Sequence, residues 1–284
     1  MKEKINFGYL PEEYSNPEDA GIVVIPVAYD GTSTWIKGAD EGPTAIIEAS
    51  ANMELYDIET DSEIYKKGIF TENTIAGDIS TIEMIEAVKD AVRYYLEKDK
   101  FTVVIGGEHS VSLGSIKVCA ERYTDLTVLQ LDAHADLREE YNSSKYNHAC
   151  VMARTKELCP IVQVGIRSMD SSEIESMDKS RTFFAKDLYN KTNWIDKVIS
   201  KLSDNVYITL DLDVFDPSIM PSTGTPEPGG LLWYDVLALL RTAVEKRNLV
   251  AFDVVELCPD ERNRAPDFMA AKLIYKLLSY KFRG

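Results

Sequence analysis

At 284 residues, with 45% hydrophobic content, the chain is long enough for one large α/β domain or two modest ones around a sizeable core. Lys+Arg 31 against Asp+Glu 47 leaves a formal net charge of −16, which argues against a nucleic-acid partner and favours approach of a small cation. No apolar run reaches signal-peptide or membrane-span length, and Cys119, Cys150, Cys159 and Cys258 lack C-x-x-C spacing, so the expectation is a cytoplasmic protein with reduced thiols and no membrane partner.

In chain order, residues 21–27 open a near-continuous apolar run, as in a strand covered on both faces. An amphipathic helix follows over 84–96, then a strand over 101–105 and a helix over 111–123. Strands are expected at 126–131 and 161–166, a helix at 195–202 and a strand at 206–210. The chain closes with a helix at 232–246, a strand at 249–255 and a helix at 268–280. This alternation predicts parallel βαβ units in one doubly wound sheet, and the absence of a linker-like segment predicts one domain over 1–284.

The chemistry-bearing residues fall just after these strands. His109 follows 101–105, the run Asp132-Ala133-His134-Ala135-Asp136 follows 126–131, Asp211-Leu212-Asp213 follows 206–210, and Glu256 follows 249–255. Open parallel sheets bind their ligands beyond the carboxyl ends of the strands. If the backbone stays extended, Asp132, His134 and Asp136 project to one side and converge, and Asp211 with Asp213 repeats the device. Two divalent ions would balance the four aspartates in charge, and together lower the pKa of a bound water. An O-rich site with some imidazole nitrogen suits Mn²⁺, with Co²⁺ or Fe²⁺ as substitutes. Taken alone, a D-x-D pair is often a turn, His148 a cap or surface residue, and Glu256 a buried structural carboxylate.

Together the motifs resemble the ureohydrolase family of arginases and agmatinases, most closely the prokaryotic agmatinases. The matching runs are Gly106-Gly107-Glu108-His109-Ser110, Asp132 to Asp136, Asp211-Leu212-Asp213-Val214-Phe215-Asp216-Pro217, Thr223 to Leu231, and Phe252 to Glu256. Tyr29-Asp30-Gly31-Thr32, with Gly38-Ala39 and Gly42-Pro43, resembles the family's N-terminal loop. The resemblance implies an arginase-like three-layer α/β/α fold, a homotrimer or homohexamer, and two manganese ions. One ion would take His109, Asp132, Asp136 and Asp211, the other Asp132, His134, Asp211 and Asp213, with Asp132 and Asp211 bridging. His148 would shuttle protons to the leaving amine, and Glu256 would pair with a guanidinium.

The resemblance implies hydrolysis of agmatine to putrescine and urea, in polyamine biosynthesis. Arginases carry Asn where this chain has Arg138, which disfavours arginine. Glu139 or Glu140 is a candidate for a distal ammonium, of agmatine or of the longer N1-aminopropylagmatine, although both suit a solvated loop equally. Arg138 leaves 4-guanidinobutyrate open. A deacetylase-type zinc amidohydrolase lacks support, because the paired histidine dyad is missing. A two-metal phosphoesterase lacks its glycine-rich phosphate loop and basic cluster. A catalytically inactive binding or regulatory homologue would be expected to lose a ligand, and all six are present.

Overall fold

The computed structural model describes residues 5–283. Nine strands among them form one sheet: β1 (Ile22–Ala28), β2 (Ile69–Thr71), β3 (Ile75–Ala76), β4 (Phe101–Gly106), β5 (Leu126–Leu131), β6 (Ile161–Ile166), β7 (Thr182–Phe184), β8 (Asn205–Asp211) and β9 (Asn248–Val255). Their order is β2-β1-β4-β9-β8-β5-β6-β7, with β3 also pairing β1, and every pairing is parallel.

Every residue of β4, β5 and β6 is buried, which explains their mainly apolar sequence: helices cover both faces. Side chains alternate between the two cores. Val24, Ile105, Leu131, Leu210 and Val254 face one core, with helices Gly42–Ser50, Trp194–Ile199, Trp233–Lys246 and Ala265–Lys281. Val23, Val104, Val128, Tyr207 and Val255 face the other, with helices Thr81–Leu96, Ser112–Arg122 and Val151–Lys156. The result is a three-layer α/β/α architecture. Each fully buried Val or Ile side chain contributes about 1.5–3 kcal/mol.

Local signals set the helix limits. Ser80 and Glu83 form a reciprocal capping box that starts Thr81–Leu96, three residues before the apolar pattern begins. Pro266 lies in the first turn of Ala265–Lys281, where its missing N–H costs nothing. β2, β3 and β7, at two or three residues, are too short to show a period, and the helices Gly42–Ser50 and Val151–Lys156 were likewise not expected from sequence.

The topology fixes where chemistry can occur. β1 and β4 lie to one side of the β9-β8 pair, and β5, β6 and β7 to the other. Ile105 pairs with Val254, Val254 with Leu210, and Leu210 with Leu131, so four strands end in step. Their carboxyl ends converge where the strand order reverses, the usual ligand crevice of a doubly wound sheet. Among the described residues no helix is long and apolar enough to cross a membrane.

Candidate active site

Asp132 and Asp211 emerge one residue beyond the Leu131–Leu210 pair. Neither continues as an extended ligand arm. Asp132 Oδ1 accepts the N–H of His134 at 2.6 Å, and Asp211 Oδ1 accepts the N–H of Asp213 at 2.8 Å. These are Asx-type turns, in which a short carboxylate captures the backbone two residues on. Asp136 then takes a left-handed conformation, φ 52°. Convergence therefore comes from carboxylate-anchored turns, and the expected strand-like alternation ends at Leu131. Asp213 Oδ1 also accepts the N–H of Ala133 at 2.9 Å, tying the two loops together.

Two groups of donor atoms result, each with its atoms within 4.8 Å of one another: His109, Asp132 and Asp211, and Asp132, His134 and Asp213. Asp132 faces both, with Oδ2 3.1 Å from His109 Nδ1 and Oδ1 3.6 Å from His134 Nδ1. Asp136 Oδ2 and Asp211 Oδ2 lie 3.0 and 3.4 Å from His109 Nδ1, and Asp213 Oδ2 lies 2.8 Å from His134 Nδ1. Asp211 falls in the first group, and its Oδ1 accepts the Asp213 N–H.

The His109 ring tests whether a cation belongs here. Thr209 Oγ1 donates to Asp253 Oδ1 at 2.7 Å, so it accepts from His109 Nε2 at 2.9 Å. Nδ1 is then aimed at three carboxylate oxygens, buried and without a hydrogen-bond partner. A lone pair facing three carboxylates requires a positive charge between them, either a proton or a metal ion. Burial opposes charging, yet the carboxylates hold His109 and His134 well above ordinary imidazole values. Burial and the Asp132 charge push Asp136 up to about 7, and burial with Asp213 and Asp132 raises Asp211 strongly. An acidic cluster that strains to hold protons, built of oxygen and imidazole donors, fits a pair of divalent cations.

His148 and Glu256 stand beside these groups. His148 opens a short turn capped by Asn147, and its ring meets Tyr141 edge-on at 6.1 Å. Burial, then the His109 and His134 charges, push His148 down to about 4. Glu256 has φ 67°, a left-handed conformation costly for a long side chain, and its Oε1 accepts the His109 N–H at 2.7 Å. Burial, reinforced by Glu108, raises Glu256 well above the usual carboxylate range. A cavity of about 250 Å³ joins His109, His134, Asp136, Asp211, Asp213, His148 and Glu256 to Trp35, Arg138, Tyr141, Met169, Asp170 and Glu173.

Residues 20–279 match the model of the arginase family. The chain belongs to the arginase family. A Synechocystis sp. protein named N(1)-aminopropylagmatine ureohydrolase is 36% identical, over 95% of this chain and 92% of its own length. A Pyrococcus horikoshii agmatinase is 31% identical over 94% of each chain. The crystal structure of agmatine ureohydrolase of Thermoplasma volcanium matches with a TM-score of 0.89 and 30% identity, covering 100% of this chain and 96% of that one. This member of the arginase family is accordingly a ureohydrolase, acting on guanidino C–N bonds.

Two residues expected at the substrate stand away from this cavity. The Glu139 carboxylate takes Arg154 Nη2 at 2.8 Å, and neither Glu139 nor Glu140 lines the cavity. Arg154 is buried, whereas Glu139 and Glu140 are exposed. Two further acidic residues line the cavity, Asp170 and Glu173, which sequence reasoning missed; Glu173 is buried, its oxygens accepting the N–H groups of Leu137 and Asp170. Their only signal is a capping-box pattern after β6, which reads as a helix start. Arg138 lies 3.6 Å from Asp170 and 4.6 Å above the Tyr141 ring, so its charge is already engaged.

A second set went unrecognised beneath the aspartates. Gln163, Gln130, Thr209 and Asp253 pair in one cross-strand row. Gln163 Nε2 donates to Gln130 Oε1 at 2.6 Å, and Gln130 Nε2 donates to Asp132 Oδ2 at 2.7 Å. Tyr207 Oη donates to Asp253 at 2.6 Å. The available signal was a polar residue inside an apolar strand, two positions before a ligand: Gln130 before Asp132 and Thr209 before Asp211.

Proposed function

We propose that the protein hydrolyses the guanidino group of N1-aminopropylagmatine, releasing urea and the shortened polyamine, with two manganese ions held by His109, Asp132, Asp136, His134, Asp211 and Asp213. The observation that carries this reading is a single cavity joining five of those six side chains, all but the fully buried Asp132, and Glu256 to Trp35, Tyr141 and Asp170. Divalent ions there would lower the pKa of a shared water toward neutrality and orient it as a nucleophile.

The remaining work falls to side chains. Glu256 pairs with the guanidinium N–H groups, a charge-assisted contact that places the carbon against the aspartates. His148, neutral at pH 7, accepts a proton as water adds and returns it to the departing amine. Trp35, with 77% of its surface exposed, and Tyr141 offer flat faces to methylenes and to an ammonium. Asp170 offers a carboxylate that a distal cation would share with Arg138, 3.6 Å away, and the net charge of −16 favours its approach. A carboxylate tail such as that of 4-guanidinobutyrate would instead meet Asp170, with Arg138 already engaged.

The named activity of the Synechocystis relative supports the longer substrate, and that of the Pyrococcus relative supports agmatine as the second reading. A urea-release panel with manganese-loaded protein separates them. The expected kcat/KM for N1-aminopropylagmatine exceeds that for agmatine by about tenfold or more, equivalent to one additional charged contact. Agmatine turning over faster would establish the second reading, and urea from neither compound would remove the function.

A further inference from the structure

The Tyr29-Asp30-Gly31-Thr32 loop resembles the family by sequence, yet Thr32 is not among the residues that line the cavity. It is held against the site from behind. Glu108 N–H donates to Tyr29 O at 2.9 Å, and a Cβ on Gly107 would come within 2.0 Å of that same oxygen, so glycine permits the approach. This docking seats Thr32 between Glu108 and His148.

The Thr32 hydroxyl has three partners and one hydrogen. The His148 backbone N–H must donate to Thr32 Oγ1, at 3.0 Å. The hydroxyl hydrogen then goes either to Glu108 Oε2, with which Thr32 makes a short contact, or to His148 Nδ1 at 3.0 Å. Ser110 Oγ donates to the other Glu108 oxygen, so the carboxyl is built as a double acceptor. Thr32 Oγ1 lies closer to Glu108 Oε2 than to Nδ1, and the Thr32 and Ser110 hydroxyls each meet a different Glu108 oxygen, so the hydroxyl hydrogen goes to Glu108. With the hydroxyl hydrogen on Glu108, Thr32 Oγ1 can only accept from Nδ1, and Nδ1 must carry a hydrogen.

We propose that Thr32, oriented by Glu108, is a positioning residue that fixes His148 as its Nδ1–H tautomer and leaves Nε2 as the atom that exchanges protons with the substrate. The inference rests on the ureohydrolase reading above. As water adds to the guanidinium carbon, the new C–O bond forms and one water proton passes to Nε2. When the C–N bond breaks, Nε2 returns that proton to the amine nitrogen. Both water protons end on the departing ammonium, urea is the other product, and His148 regains its starting state.

The direct test is the ¹⁵N imidazole spectrum of histidine-labelled protein loaded with diamagnetic Zn²⁺, with the His148 signals assigned by their loss in His148→Asn. The expected wild-type pattern is a protonated Nδ1 and an unprotonated Nε2; the reverse pattern overturns the proposal. In the manganese enzyme, Thr32→Val should lower kcat about tenfold to a hundredfold with KM and metal content within twofold of wild type. Thr32→Ser should restore the rate, and Thr32→Val should cost nothing further in a His148→Asn background. An unchanged kcat in Thr32→Val, or a loss confined to KM, metal content or folding, overturns it. Should the wild type release urea from no guanidine, the functional reading fails, and the spectrum still decides the tautomer.

Discussion

The His109 backbone N–H donates to Glu256 Oε1 at 2.7 Å, while Glu256 N–H donates to Gly107 O at 2.7 Å. The segment after β4 and the segment after β9 thus clasp each other. The imidazole facing the aspartates and the carboxylate assigned to the guanidinium cannot move independently.

That clasp makes Glu256→Gln informative. The amide oxygen can still accept the His109 N–H, so the metal-facing imidazole stays in place. Its NH₂ group then faces the guanidinium in place of an anion. Loss of a charge-assisted bond of about 1.5–3 kcal/mol lowers kcat/KM roughly 10- to 150-fold. Metal content by elemental analysis should stay at the wild-type level. Wild-type kcat/KM in this variant would remove Glu256 from substrate binding.

Thr209→Val addresses the layer beneath. It deprives His109 Nε2 of its partner and leaves Asp253 short of a hydrogen bond in a fully buried site. Partners of ligating imidazoles are typically worth about 10- to 100-fold in metal affinity. Competition against a chelating indicator should show such a loss, with KM unchanged at saturating metal. Undiminished affinity would mean that the Thr209 contact does not orient the ring.

The sheet, and the placing of the candidate metal ligands beyond its strand ends, were legible because strand ends announce themselves. Mainly apolar runs at β4, β5, β8 and β9 predict two-sided burial, and the polar clusters that follow them fall at the crevice. How the ligands turn inward was not legible, since a carboxylate capturing the N–H two residues on looks the same in sequence as strand alternation. Glu139 and Asp170 were equally opaque. Their roles depend on where Arg154 and Arg138 point, and that is decided by packing between elements far apart in the chain.

The raised histidines predict competition between protons and metal. Both folded values lie above the unfolded imidazole value of about 6.5, so their stabilising charge is fully present below that pH and is lost as pH rises through the folded values. Asp136 and Asp211, raised by burial and like charges, act in the same direction. The metal-free protein should therefore lose thermal stability as pH rises above about 6.5. Metal binding should release protons and tighten with pH. Calorimetric titrations in buffers of different ionisation enthalpy count those protons; zero release would contradict the protonated resting cluster.

Away from the site, Lys276 Nζ lies 3.0 Å from Asp57 Oδ2 and 2.5 Å from Glu59 Oε2, with Lys276 and Asp57 buried. This cluster ties the 57–59 turn to the C-terminal helix. Lys276→Met leaves Asp57 buried and unpaired, a loss of about 3–5 kcal/mol. Thermal unfolding should show the drop, and adding Asp57→Asn should recover part of it. An unchanged melting temperature would make the pair energetically neutral.

The central claim is that six side chains from three strand ends hold two cations. Anomalous scattering from crystals grown with Mn²⁺ tests it most directly. The account predicts two peaks per chain, one beside His109 and one beside His134, with Asp132 reaching both. A single peak, or peaks remote from these histidines, would contradict it.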